Sequence, residues 1–215
     1  TNIGDEGGFA PPLTKHTQPL DLIEKAVKAC GYKKFVAYGI DAAASEFYED
    51  GKYYLDDKPK TAKKMVEIYK ALVKKYNIIS IEDPFHEEDF ESFAQLTKTI
   101  SKKCQVVGDD LLVTNPGRIH QAQTSKSCTA LLLKVNQIGT VTEAIGAAGV
   151  ARQDRWKIMV SHRSGETSDS FIADLAVGLG ATQIKSGAPC RGERLAKYNQ
   201  LLRIEEESKI KLGKF

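Results

Sequence analysis

Six polar side chains in this sequence stand where a short apolar run ends: Asp41 after YGI, Glu82 after IISI, Asp109 after VVG, Lys134 after LLL, His162 after MVS and Lys185 after QI. The first three are carboxylates. If successive strands carry them to one face they repel one another, and a cation must neutralise them. With no His or Cys in the set, the donors are all oxygen. That suits a hard ion, Mg²⁺ before Zn²⁺. Taken singly, each acid could instead cap the helix that follows its strand. Lys134 and Lys185 would reach the same face from apolar stems. A lysine base must be neutral near pH 7, which a neighbouring cation favours; otherwise such a lysine simply snorkels at a strand end.

The run SHRSGET at 161–167 supplies anion chemistry. Arg163 offers a planar fork for phosphate or carboxylate, and Ser164, Gly165 and the backbone amides before the next helix can complete a cradle. His162 can hydrogen-bond a substrate or serve as a structural histidine. His16, His86 and His120 have no comparable setting. Near the start, Asp5–Glu6–Gly7–Gly8 places glycines beside carboxylates. By itself it reads as a polar turn, and in context as a loop that must approach something closely. Together these residues point to metal-assisted proton abstraction beside a carboxylate, on an anionic, phosphate-bearing substrate.

The elements that must position them recur regularly. Apolar residues at helical spacing precede the first strand in PLDLIEKAVKA and follow the six strands in turn in TAKKMVEIYKALVKKY, DFESFAQLTKTISKK, NPGRIHQAQ, TVTEAIGAAGVA, SFIADLAVGL and ERLAKYNQLLRIEEE. The strand-end residues are separated by 41, 27, 25, 28 and 23 positions, about one β/α unit each apart from the first, which contains an extra turn at Asp50–Gly51. Strands apolar on both faces require a parallel sheet covered by helices. A doubly wound sheet gathers its functional groups at one switch point. Functional residues at the C-terminal ends of many strands instead mark a (β/α)8 TIM-type barrel, of which the last six β/α units are expected here.

Composition excludes several classes. The net charge of +3 balances 31 basic against 28 acidic residues, with no basic stripe or recognition motif for nucleic acid. Cys30, Cys104, Cys128 and Cys190 are scattered without metal-ligand spacing, and reduced cytoplasmic thiols are expected. No transmembrane segment is expected, since no apolar run reaches the ~18 residues a membrane span needs.

The runs GDEGGFAP, GIDAAASEF, SIEDPF, VGDDLLVTNP, LLLKVNQIGT, MVSHRSGET and QIKSGAPCRGERLAKYNQLLRIEEE, in this order, closely resemble the enolase family, over essentially the whole chain. The resemblance implies a lyase of glycolysis, a phosphopyruvate hydratase dehydrating 2-phosphoglycerate to phosphoenolpyruvate. It implies Mg²⁺, two ions per site, on Asp41, Glu82 and Asp109. Lys134 would be the base at C2, and Glu6 the acid that protonates the departing C3 hydroxyl and so must carry a proton. Lys185 would stabilise the enolate. Glu82, Asp109, Ser161, His162, Arg163, Ser164 and Lys185 would contact substrate. A cytoplasmic homodimer is implied for the full-length protein. Ser186 stands where a threonine is expected, and AGVARQDRW is more charged than the usual small-residue run. Residues 1–215 then form one catalytic barrel domain that lacks its capping domain and first two strands, and weak or no turnover is expected of it alone. The rival readings are a non-catalytic enolase-like binding protein, and another dehydratase or racemase of the superfamily.

Overall fold

The computed structural model describes residues 1–208. Lys209, Lys211 and Lys214, read from the sequence as a solvated end, lie outside the described residues. The chain forms two compact units: one comprises Leu13–Leu112 and His120–Thr129, the other Thr1–Pro12, Val113–Ile119 and the segment from Ala130 onward.

The first unit is built on three parallel strands, Tyr38–Asp41, Ile78–Glu82 and Gln105–Gly108, with Ile78–Glu82 in the middle. The helices Gln18–Ala29, Ala62–Lys75 and Phe90–Ile100 alternate with them. Two of these helices begin where a side chain accepts an otherwise orphaned backbone N–H. Thr61 Oγ1 accepts from Lys64 N–H at 3.2 Å, and Asp89 Oδ1 from Ser92 N–H at 2.9 Å. Their apolar stripes are buried: Met65, Val66, Tyr69 and Leu72 on one, Phe93, Leu96 and Ile100 on the other. The long first interval, read as a single turn, holds more than that. A 3₁₀ turn at Ala44–Phe47 leads into a three-stranded antiparallel meander, Tyr48–Glu49, Lys52–Leu55 and Lys58–Lys60. Its Tyr53 is 1% exposed and, with Tyr69 and Phe93, packs edge-to-face on the central ring of Phe85.

The second unit repeats the plan. Ala130–Leu133, Lys157–Ser161 and Gln183–Lys185 are parallel, with Lys157–Ser161 central. Every residue of the ALLL strand is buried. Helix Val141–Gln153 presents only small side chains inward, Ala144, Ala147, Ala148 and Ala151, which lets its backbone lie close to the strands. It starts in a reciprocal cap in which Thr140 Oγ1 accepts Glu143 N–H at 3.1 Å while its hydroxyl donates to the Glu143 carboxylate. Helices Phe171–Gly178 and Gly192–Ser208 complete the unit, and Asn2–Ile3 pairs antiparallel with Phe9–Ala10 around the glycine loop. Among the described residues, no helix is long and apolar enough to cross a membrane.

Candidate active site

In the first unit, parallel register sets the carboxylates. Asp41 lies opposite Glu82 on the neighbouring strand, and Glu82 lies opposite Val107, two residues before Asp109. Adjacent strands lie about 4.8 Å apart, so the register sets the backbone positions of the three acids at the ends of adjacent strands. Glu82 is 4% exposed and Asp109 7%; Asp41 is exposed. The Asp41 carboxylate turns back to accept Ala43 N–H at 3.1 Å. Ala42 and Ala44 donate their N–H groups to the carbonyls of Glu82 and Asp83, so GIDAAA is stitched onto the EDP turn. Tyr69 OH donates to Pro84 C=O at 3.0 Å, and Phe85 is fully buried behind it. The aromatic cluster therefore anchors the residues that follow Glu82.

Asp83 was not singled out in the sequence, yet it organises this end of the unit. It sits at φ +40°, a left-handed conformation that costs a non-glycine residue energy and is held here by its bonds. Its Oδ1 accepts Asp109 N–H at 2.9 Å and its Oδ2 accepts Asp110 N–H at 2.7 Å. One oxygen from each of Asp83, Asp109 and Asp110 lies within 4.8 Å of the others. Burial, together with the Asp109 and Asp110 charges, outweighs those N–H bonds and pushes the Asp83 carboxyl up to about 7. These three carboxylates offer oxygen donors throughout and fit a hard divalent cation; of the acids expected from the sequence, Asp109 is in the group, and Asp41 and Glu82 are not.

In the second unit the DEGG loop is pinned by close backbone approach. Glu6 C=O accepts Ala188 N–H at 2.9 Å. A Cβ on Gly187, at φ +73°, would lie 2.6 Å from that same carbonyl oxygen, and one on Gly7, at φ +83°, 2.7 Å from Cys190 C=O. Both glycines are required by contact and by conformation. The Glu6 carboxylate accepts the Ser164 hydroxyl at 3.0 Å, and its other oxygen is 3.4 Å from His162 Nε2. Ser161 lies opposite Lys185 in the parallel register, and His162 N–H donates to Lys185 C=O. Arg163 donates to Asn136 Oδ1 at 3.2 Å. Lys134 follows its strand directly and is half-buried, its backbone N–H held by Thr114 Oγ1 at 2.9 Å.

Beneath the SHRSGET loop lie two cations that went unnoticed in the sequence, Arg194 and Lys197, each 1% exposed. Lys197 Nζ donates to Glu166 Oε2 at 2.5 Å, Thr167 C=O at 2.6 Å and Glu193 C=O at 2.9 Å. Glu166 Oε1 in turn accepts Arg163 N–H at 3.0 Å. Burial would raise the Glu166 carboxyl, but the Lys197 and Arg163 bonds prevail and lower it. Burial is also the main cause holding His162 below the ordinary histidine range; Glu6 opposes it, while Arg194 and Lys185 reinforce it. In sequence, Arg194 and Lys197 look like the polar face of an ordinary helix. Their one signal is their three-residue spacing on a helix that follows a loop rich in carbonyls needing donors.

The family model described as "Enolase, C-terminal TIM barrel domain" matches residues 1–212. An enolase of Methanocaldococcus jannaschii is 57% identical over 206 residues, covering 96% of this chain and 48% of that protein. An enolase of Solanum lycopersicum is 54% identical over 216 residues, covering 96% of this chain and 49% of its own length. The chain thus spans about half the length of these curated relatives. With β/α units ending in the expected residues and a family match along nearly its whole length, the chain belongs to the enolase family, as the C-terminal TIM barrel domain.

Proposed function

We propose that this chain carries the catalytic groups of an enolase, which removes water from 2-phosphoglycerate to form phosphoenolpyruvate. The observation that supports this reading best is the setting of Glu6. It is a carboxylate clamped by Ser164 and faced by His162 beyond the carboxyl ends of parallel strands, in a chain that matches the enolase barrel.

The roles follow from the residue chemistry. Lys134, at the end of a buried apolar strand, takes the C2 proton. Lys185 supplies fixed positive charge as the substrate becomes an enolate. Glu6 delivers a proton to the C3 hydroxyl, which leaves as water, so the proton lost at C2 and the hydroxyl lost at C3 account for the product. Arg163 and Ser164 hold the phosphate and His162 donates to the substrate, with Ser161 beside Lys185. Asp41, Glu82 and Asp109 would hold Mg²⁺, whose charge neutralises these acids and the substrate carboxylate. Such a protein would act in the cytoplasm as a homodimer.

Magnesium-dependent formation of phosphoenolpyruvate, followed by ultraviolet absorbance with the full-length protein, tests the reading. Turnover that disappears with chelation and in Lys134→Ala supports it. A preference for a non-phosphorylated hydroxy acid would overturn it in favour of another dehydratase or racemase. The same assay on residues 1–215 alone is expected to give very weak turnover, because they span only about half the length of the enolases they match.

A further inference from the structure

Arg194 is almost completely buried, and all four of its terminal N–H bonds are used. One terminal nitrogen donates to His162 Nδ1 and to Arg163 C=O, both at 2.7 Å. The other donates to Ser164 C=O at 2.7 Å and Asp5 C=O at 3.0 Å. A guanidinium has no acceptor capacity and does not lose its proton. The Arg194–Nδ1 contact therefore has one reading: Nδ1 accepts, so it is bare. The proton of a neutral His162 then resides on Nε2, the nitrogen 3.4 Å from Glu6 Oε2.

We propose that Arg194 is a positioning residue that locks His162 as the Nε2–H tautomer, a donor that cannot act as a base toward the site, and ties the Glu6 loop to the SHRS loop. The link between the two loops is direct, because one planar group holds a carbonyl from Asp5 and carbonyls from Arg163 and Ser164. Its place is prepared by Gly187, where any Cβ would press on the Arg194 side chain at 3.0 Å. A lysine at 194 could keep the charge, but its single nitrogen cannot serve four acceptors in a plane. The charged groups around His162 are Glu6, Arg194, Lys185 and Glu166. Arg194 alone touches Nδ1 among the described hydrogen bonds.

This inference rests on the enolase reading for the meaning of Glu6 and His162, but the tautomer does not depend on turnover. Nitrogen-15 imidazole spectra of histidine-labelled full-length protein at pH 7, assigned with His162→Gln, should show a bare, downfield Nδ1 and a protonated Nε2 for His162. A protonated Nδ1 or a doubly protonated ring in the wild type would overturn the proposal whatever the activity. In Arg194→Lys, folded by circular dichroism, the Nδ1 signal should move toward the protonated range. The phosphoenolpyruvate assay should then lose about tenfold or more in kcat, with KM changing less. In the His162→Gln background the same substitution should cost less than it does alone, since coupled residues are non-additive. Independent, multiplying losses, or an unmoved Nδ1 signal, would show that Arg194 does not act through His162. Absence of dehydratase activity in the wild type with the expected spectrum would remove the enolase reading and leave the tautomer assignment standing.

Discussion

The two compact units solve the same problem with opposite chemistry. In the first, an anion collects backbone donors: both oxygens of Asp83 hold the N–H groups of Asp109 and Asp110. In the second, cations collect backbone acceptors: Arg194 and Lys197 hold the carbonyls of Asp5, Arg163, Ser164, Thr167 and Glu193. Either device fixes a loop beyond a strand end. The second device also leaves a buried positive charge, on Arg194, whose sign suits the proposed phosphate. A loop clip therefore contributes to the local field as well as to rigidity.

The largest expected effect separates the units by chemistry. If proton transfer belongs to the cation-clipped unit, Lys134→Ala in the full-length protein should lower kcat by about 10²–10⁴-fold and abolish exchange of the C2 proton with solvent. Exchange that survives would assign the base elsewhere.

Next comes the cationic clip itself. Lys197→Met leaves Glu166 and two carbonyls without their buried donor. It should cost about 3–5 kcal/mol, read as a lower urea midpoint. A loss under about 1 kcal/mol would mean that the ion pair is worth no more than an exposed one.

The acidic clip should be weaker. Asp83→Ala strands two backbone N–H groups, at about 1–3 kcal/mol for each, but it also removes one of three crowded carboxylates, so part of the loss is offset. The variant should bind Mg²⁺ more weakly by titration calorimetry, and unchanged affinity would show that the Asp109–Asp110 turn holds its shape unaided.

The smallest effect is the second unit's share of the pH dependence of stability; Asp83 in the first unit, pushed up to about 7, acts in the opposite direction, its stabilisation being lost as pH rises through that value. His162 is held below its ordinary value and Glu166 below its own. Both contribute stability that is present above their unfolded values, about 6.5 and 4.3, and that is lost as pH falls through them. Compared with the variants His162→Gln and Glu166→Gln, the wild-type urea midpoint should lose ground first below about pH 6.5 and again below about pH 4.3. His162→Gln should remove the upper step, and an unchanged upper step would assign it to another group.

Much of this was legible from the residues. Short apolar runs, each ending in one polar residue, announced parallel strands and the side chains at their ends, because a buried parallel strand tolerates polarity only where it emerges. The glycines beside Glu6 marked close approach, although what Gly7 approaches could not be read, since its contact joins residues some 180 positions apart. The meander after Asp41 was compressed to a turn because Tyr48–Glu49 and Lys58–Lys60 are too short for a periodic signal.

By itself, then, the sequence determined which residue types stand at the strand ends, the β/α rhythm that carries them and the family to which that order belongs. These are local properties of spacing and polarity. Only the tertiary structure decided that Asp83 would serve as an acceptor clip, that Arg194 and Lys197 would turn inward, and which nitrogen of His162 carries its proton. Those outcomes depend on which distant carbonyls and amides remain unpaired once the loops have folded, and a buried polar group must take the partner it meets there.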